Sequence, residues 1–327
     1  RLLGWTLRAN IATFMTKNHF KIEADVVLLS TPGQKIEDLF AYFQLLKSNK
    51  TPLFKSLIYS WDNLSAKGFL PIKLNDYFVW NKYMQNDLVV RHGVSSNSIK
   101  VVGSPLAVIY SQYDKLTKSD CRQLVPYLKD KHESKFIILI STIPPVYYGK
   151  CHRRLINFTD EVMRELTDEF LIIVRPHPFD DTDYNDLICD HVCLDDNERS
   201  GTKEQWIPIK NSARNLHNRI KSADLNVNIA STITLEATYL GTKVINWCVD
   251  FSEEDYQGSL LDYYSYDHYK EVVKFSNIVP IATSCASYKA MLIERFVGRN
   301  NEMDSCDRLE FINHHFGPYK GFMELQL

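Results

Sequence analysis

The sequence has no long apolar run. Its apolar runs, such as residues 26–29 and 136–140, are far short of the roughly 20 residues that span a bilayer as a helix. It also has no excess of one charge: 38 basic residues face 40 acidic ones, for a formal net charge of -2. Without a basic excess to neutralise a phosphate backbone, no nucleic-acid partner is expected. Glycine and proline are sparse, at 12 each in 327 residues, which excludes collagen-like and low-complexity chains. No Gly-x-x-x-x-Gly-Lys-Ser/Thr loop, Gly-x-Gly-x-x-Gly turn or Gly-x-Ser-x-Gly elbow occurs, which argues against common ATPases, Rossmann dehydrogenases and α/β-hydrolases. The chain opens on Arg1-Leu2-Leu3-Gly4-Trp5, with no charged-then-apolar leader pattern.

What is present is ordinary for a globular chain of about two domains: 45% hydrophobic and 24% charged residues. The seven cysteines are odd in number and scattered, which fits a reducing, cytoplasmic setting. Cys189, His191 and Cys193 alternate, yet no second ligand pair follows, so they read as buried strand residues and not as a metal site.

Short β-branched runs alternate with helical patterns. Strands are expected at residues 25–30, 56–60, 77–80, 99–102, 136–140, 171–175, 191–194, 225–229 and 243–247. Helices are expected at 36–47, 82–92, 153–166, 211–222 and 232–240. Strands apolar on both faces and separated by helices indicate parallel α/β sheets. The expected architecture is α/β, two Rossmann-like doubly wound domains facing a cleft. The boundaries are an acceptor-side domain over 1–112, a polar linker over 113–133 and a nucleotide-binding domain over 134–327. Only about four strands precede residue 105, and residues 2–16 read as a helix, so the first domain is expected to be truncated at its N-terminus.

In open α/β sheets the ligand lies beyond the carboxyl ends of the strands. Four segments sit there. The first, Ser60-Trp61-Asp62-Asn63 through Ser65, Lys67 and Gly68, offers an aromatic ring, a carboxylate and polar groups. Singly each reads as local packing, an Asx turn or a helix cap; together they make Asp62 a candidate general base. In the second, Arg175-Pro176-His177-Pro178, two prolines stiffen a strand exit and fix His177, which can donate to a phosphate or polarise a leaving group. The third, Asn228 to Ala237, delivers Ser231 and Thr232 to a helix start, where free N–H groups hold phosphate, with Glu236 one turn on to accept ribose hydroxyls. The bland alternative is a Ser/Thr cap with a capping-box Glu. The fourth, Ser141 and Thr142 with the Pro/Gly loop to Lys150, faces the same crevice and reads more as loop structure than as ligand contact.

This ordered set, with Val102-Gly103-Ser104-Pro105 and the run Glu236-Ala237 to Gly241, Lys243-Val244-Ile245, resembles bacterial surface and capsular polysaccharide glycosyltransferases of the GT-B fold and the related CDP-glycerol glycerophosphotransferases. The resemblance covers roughly residues 25–250. It implies a glycosyltransferase moving a sugar from a nucleotide-activated donor to a surface glycan or lipid-linked acceptor. The alternatives are a CDP-glycerol or polyol-phosphate transferase of teichoic-acid type, a nucleotide-sugar epimerase and a non-catalytic nucleotide-binding protein. The resemblance implies that His177 contacts the donor phosphate or nucleotide, that Ser231 and Thr232 hold the phosphates and that Glu236 holds the ribose. Arg175, Ser141 and Thr142 complete the candidate donor-binding set, and Asp62, chosen from its position and not from the family, joins His177 as the candidate catalytic pair. No cofactor and no metal are implied; the donor phosphates would be held by a helix N-terminus, His and hydroxyls. A cytoplasmic protein at the inner face of the membrane, peripherally associated, is expected. The sequence departs from the family at Gly241-Thr242-Lys243, where proline usually precedes Val-Ile.

Overall fold

The computed structural model describes residues 24–29, 36–46, 51–66, 68–128, 135–144, 151–195, 199–200, 207–208, 211–251, 258–299, 301, 303 and 305–318. The expected helix at 2–16, Lys67 and residues 145–150 lie outside them. The chain divides into two units. One comprises residues 1–108 and 313–327, the other 109–312.

The first unit carries four parallel strands in chain order: β1 (Val26–Leu29), β2 (Leu53–Leu57), β3 (Asp76–Val79) and β4 (Ile99–Val101). Helices α1 (Ile36–Leu45), α2 (Asn63–Ala66) and α3 (Lys82–His92) connect them. Strand β2 begins three residues before its expected start. In it, buried Phe54 and Ser56 alternate with more exposed neighbours, a half-covered pattern that a search for apolar runs passes over. Asn81 explains the sharp start of α3: its side-chain oxygen accepts from Met84 N at 3.0 Å. Its amide donates to His315 O at 2.6 Å, so the same residue ties down the C-terminal segment. Gly317, at φ +69°, lies so close to Trp80 that a Cβ would sit 1.9 Å from the Trp80 carbonyl oxygen, so only glycine fits there.

The second unit begins within α4 (Pro105–Ser111) and continues through α5 (Lys118–Leu124). Its strands are β5 (Phe136–Ser141), β6 (Phe170–Arg175), β7 (Val192–Leu194), the small antiparallel pair β8 (Arg199–Ser200) and β9 (Ile207–Pro208), β10 (Leu225–Asn228), β11 (Lys243–Trp247) and β12 (Ile281–Ala282). Its helices are α6 (Cys151–Arg164), α7 (Ser212–Ser222), α8 (Ile233–Leu240), α9 (Leu260–Tyr264), α10 (Asp267–Val273), α11 (Cys285–Val297) and α12 (Ser305–Phe316), whose last residues group with the first unit. The main sheet runs β12-β11-β10-β5-β6-β7, with every pair parallel. Counted within this sheet the spatial order is 3-2-1-4-5-6, the doubly wound arrangement of dinucleotide-binding folds. Every residue of β5 is buried, as a central strand covered on both faces must be.

Two expected boundaries differ. Residues 113–133 are not a bare linker, because α5 docks on the second unit: Arg122 and Lys118 both pair with Asp224 at 2.7 Å, and Arg122 Nε donates to Ser222 O at 3.0 Å. Its polar composition reflects a capped surface helix, with a capping box between Thr117 and Asp120. The residues from Asn313 onward group with the first unit and not with the domain they follow in sequence. In the second unit, Cys193 lies in β7 as expected but is only half-buried, and Cys189 departs from its reading. Cys189 is exposed and lies in the turn before β7, and His191 stacks on Phe170 with 4.5 Å between ring centroids. No group of three His, Cys, Asp or Glu side chains fit to hold a metal occurs among the described residues.

Candidate functional site

The strand order reverses between β5 and β10, and at such a switch point the loops leave in opposite directions and open a crevice. Register sets what lies there. Ser141 ends β5 opposite Asn228 of β10 on one side and Arg175 of β6 on the other. Seven sequence-predicted residues therefore come to neighbouring strand ends of one sheet: Ser141 and Thr142 after β5, Arg175 and His177 after β6, and Ser231, Thr232 and Glu236 after β10.

Their chemistry differs. Ser141 and Thr142 are buried with their hydroxyls engaged internally. Asn226 Nδ2 donates to Ser141 Oγ at 3.2 Å. Thr142 Oγ1 accepts from His177 N at 2.8 Å and donates to the Asp180 carboxylate. Asp180 also accepts from Tyr184 Oη at 2.7 Å and Thr182 N at 3.1 Å. These bonds fix the loop that carries His177. Phe179 N donates to His177 Nδ1 at 3.1 Å. Burial, and then the Arg175 cation, push the His177 pKa down to about 4. The ring is thus neutral at pH 7 with its proton on Nε2, a fixed hydrogen-bond donor.

Ser231 and Thr232 lead into α8 by a strained turn. Ala230 has φ +39°, unusual without glycine, and is held by a bond from its N–H to Tyr264 Oη at 3.1 Å. Thr232 sits at the cap position without a side-chain cap bond. The capping box is not formed: the carboxylate of Glu236 accepts from the Tyr110 hydroxyl, across 126 residues of chain. Glu236 is buried, which raises its pKa, while the Tyr110 bond and the Arg175 charge lower it. Arg175 is different again. Burial lowers its pKa, with Asp195 and Glu236 opposing this. Asp195 is committed to Arg219 Nε at 2.8 Å and Glu236 to Tyr110. The Arg175 guanidinium itself makes no hydrogen bond or ion pair among the described residues.

Beneath the crevice runs a polar ladder that the sequence reading missed. Asn228 Nδ2 donates to Asn226 Oδ1 at 2.8 Å, Thr234 Oγ1 lies 2.9 Å from Asn228 Oδ1 and 2.7 Å from Asn246 Oδ1, and Tyr269 Oη donates to Asn246 Oδ1 at 2.8 Å. The signal was available: asparagines at alternate positions inside an otherwise apolar strand have to be satisfied somewhere.

In the first unit, Asp62 lies between the end of β2 and α2. Its carboxylate accepts from Ser60 Oγ, and its carbonyl accepts from Ala66 N at 2.9 Å. Trp61 is buried and packs edge-on against His315 at 6.4 Å between centroids, so it serves the first unit's core instead of presenting a stacking face.

No protein-family model matches the sequence, and no curated protein matches it by sequence. Solved structures do match. A UDP-GlcNAc 2-epimerase from Neisseria meningitidis bound to UDP-GlcNAc superposes with a TM-score of 0.56 at 16% identity, over 96% of this chain and 78% of that one. A putative UDP-N-acetylglucosamine 2-epimerase from Listeria monocytogenes gives 0.53 at 11% identity, over 97% and 73%. The wall teichoic acid polymerase TagF gives 0.53 at 12% identity, over 88% and 72%. At these identities the likeness is one of fold: two Rossmann-like parallel-sheet domains of the GT-B type.

Proposed function

We propose that the chain is a glycosyltransferase that binds a nucleotide-activated donor at the switch point of its second unit and transfers the sugar to a glycan or lipid-linked hydroxyl. The observation that carries this is Arg175. A guanidinium withdrawn from water costs free energy unless an anion meets it; Asp195 and Glu236 act on Arg175 through their charge, but no described residue pairs with it directly. The donor diphosphate would supply that pairing. His177 Nε2–H, the hydroxyls of Ser231 and Thr232 and the start of α8 would share the phosphate oxygens and stabilise the charge that grows on them as the nucleotide leaves. Ser141 and Thr142 would act one step back, fixing the loop. Glu236 would accept the ribose hydroxyls, and Asp62 is the base we assign to the acceptor hydroxyl.

Calorimetric titration with UDP, CMP and CDP, and with their sugar- or glycerol-linked forms, tests the donor site. Removing one charge-assisted bond costs about 1.5–3 kcal/mol, so His177→Ala is expected to weaken the preferred nucleotide roughly 10- to 100-fold. The Ser231→Ala, Thr232→Ala double variant should behave similarly, because the backbone donors remain. Unchanged affinity in both, with only lower stability, would reduce these residues to helix and turn caps. Hydrolysis of CDP-glycerol in preference to sugar nucleotides would move the reading to a polyol-phosphate transferase. A C2-inverted sugar nucleotide formed without acceptor would move it to an epimerase.

A further inference from the structure

We infer that Tyr110 is a ligand surrogate: its phenol holds the Glu236 carboxylate in the unliganded protein and yields it to the ribose of an arriving nucleotide. This rests on the reading of the second unit's switch point as a nucleotide site. Among the described residues the Glu236 carboxylate accepts from Tyr110 alone. A carboxylate offers about four lone-pair sites, and one phenol fills only one of them. The vicinal hydroxyls of a ribose supply two donors at once. Exchanging one phenol for that diol therefore improves the satisfaction of Glu236 without uncovering an empty carboxylate in the absence of ligand.

The placement supports a provisional partner over a fixed core bond. Glu236 stands in the first turn of α8, at the strand-end side of the switch point, and Arg175, which makes no ion pair among the described residues, is close enough for its charge to be felt by both Glu236 and Tyr110. Tyr110 reaches it from α4, with its ring 5.8 Å from His217 and 6.1 Å from Tyr239 by centroids. These ring contacts hold the side chain when the hydroxyl has no carboxylate to bond. Helix α4 is also where the chain passes from one unit to the other, between Val108 and Ile109. Occupancy of the ribose position would thus be registered directly by that segment.

Tyr110→Phe removes only the hydroxyl and is the variant of choice. Its affinity for UDP or CDP, whichever the wild type binds, is expected to rise roughly 5- to 20-fold, because the competing internal bond is gone. The matching 2′,3′-dideoxy nucleotide should show no such gain, and Glu236→Gln in the Tyr110→Phe background should abolish it. Unchanged or weaker ribonucleotide binding, or an equal gain with the dideoxy form, overturns the surrogate. Wild-type binding that depends on Arg175 but is indifferent to Tyr110 overturns it alone. Failure of the wild type to bind any of these nucleotides overturns the donor site along with it. Should Tyr110→Phe not fold, wild-type protein carrying ¹³Cζ-tyrosine allows the same discrimination. One buried tyrosine resonance must shift with the ribonucleotide and stay with the dideoxy form, and a resonance that stays with both overturns the proposal.

Discussion

The two sheets are built from the same parallel βα units, yet among the described strands only the second has a switch point. The first unit's described strands run in chain order, so every connection between them steps the same way and they contain no switch point. The second unit's order reverses between β5 and β10, and the reversal gathers Arg175, His177, Ser231 and Glu236. The carboxylates in the two units show the consequence. Asp62 is held locally by Ser60, two residues away, whereas Glu236 is held by Tyr110 from a distant helix, in a setting that also contains Arg175, which makes no ion pair among the described residues. Winding order, more than the residue types after each strand, decides which side chains come to neighbouring strand ends.

That contrast can be broken in three places, taken from the largest effect to the smallest. Asp62→Asn is expected to lower turnover on the order of 100-fold or more while leaving nucleotide affinity unchanged, as removal of a base on the acceptor side should. Steady-state rates beside calorimetry check this, and intact turnover would return Asp62 to the role of turn residue. Arg175→Met should lower affinity for a nucleoside diphosphate roughly 100-fold. Its melting temperature is the control, because losing the guanidinium removes a desolvation cost but also takes a positive charge away from Asp195 and Glu236. A fall in melting temperature with unchanged affinity would identify Arg175 as structural.

The smallest effect concerns pH. His177 titrates near 4 in the folded chain, first because of burial and then because of the Arg175 charge, with Asp180 opposing; in an unfolded chain it titrates near its ordinary 6.5. Between those values the unfolded state binds the proton and the folded state does not. The stabilisation is complete above pH 6.5 and is lost as pH falls toward 4. Because His177 is only partly buried, the loss between pH 7 and 5 is discounted to about 1 kcal/mol. Denaturant melts at the two values should show this loss shrink in His177→Ala, which lacks the titrating ring. Equal pH dependence in both proteins would mean that other groups, such as buried His152, carry it.

Legibility followed locality. Helix α3 was readable to the residue, because Asn81 and Gly93 mark its ends chemically and Gly93 takes the left-handed conformation that closes it. Strands β5 and β11 were readable because central strands are apolar on both faces. Strand β2 was misplaced because its pattern alternates, and β12, only two residues long, carries no periodic signal. The site was legible as a set of positions: each of its residues follows a strand or opens a helix. Partnership was not, because Tyr110 and Glu236 are 126 residues apart and the bond between them exists only once α4 and α8 are packed.

The sequence by itself determined the alternation of strands and helices, the parallel class of both sheets and the positions just past each strand where chemistry could lie. These depend on backbone preference and burial period, which act over a few residues. Tertiary structure alone decided the order of the strands, and with it which ends are neighbours. It also decided that the hydroxyls of Ser141 and Thr142 turn inward while Arg175 has no acceptor among the described residues. These are contacts between segments far apart in the chain, set by packing and desolvation, which no local pattern records.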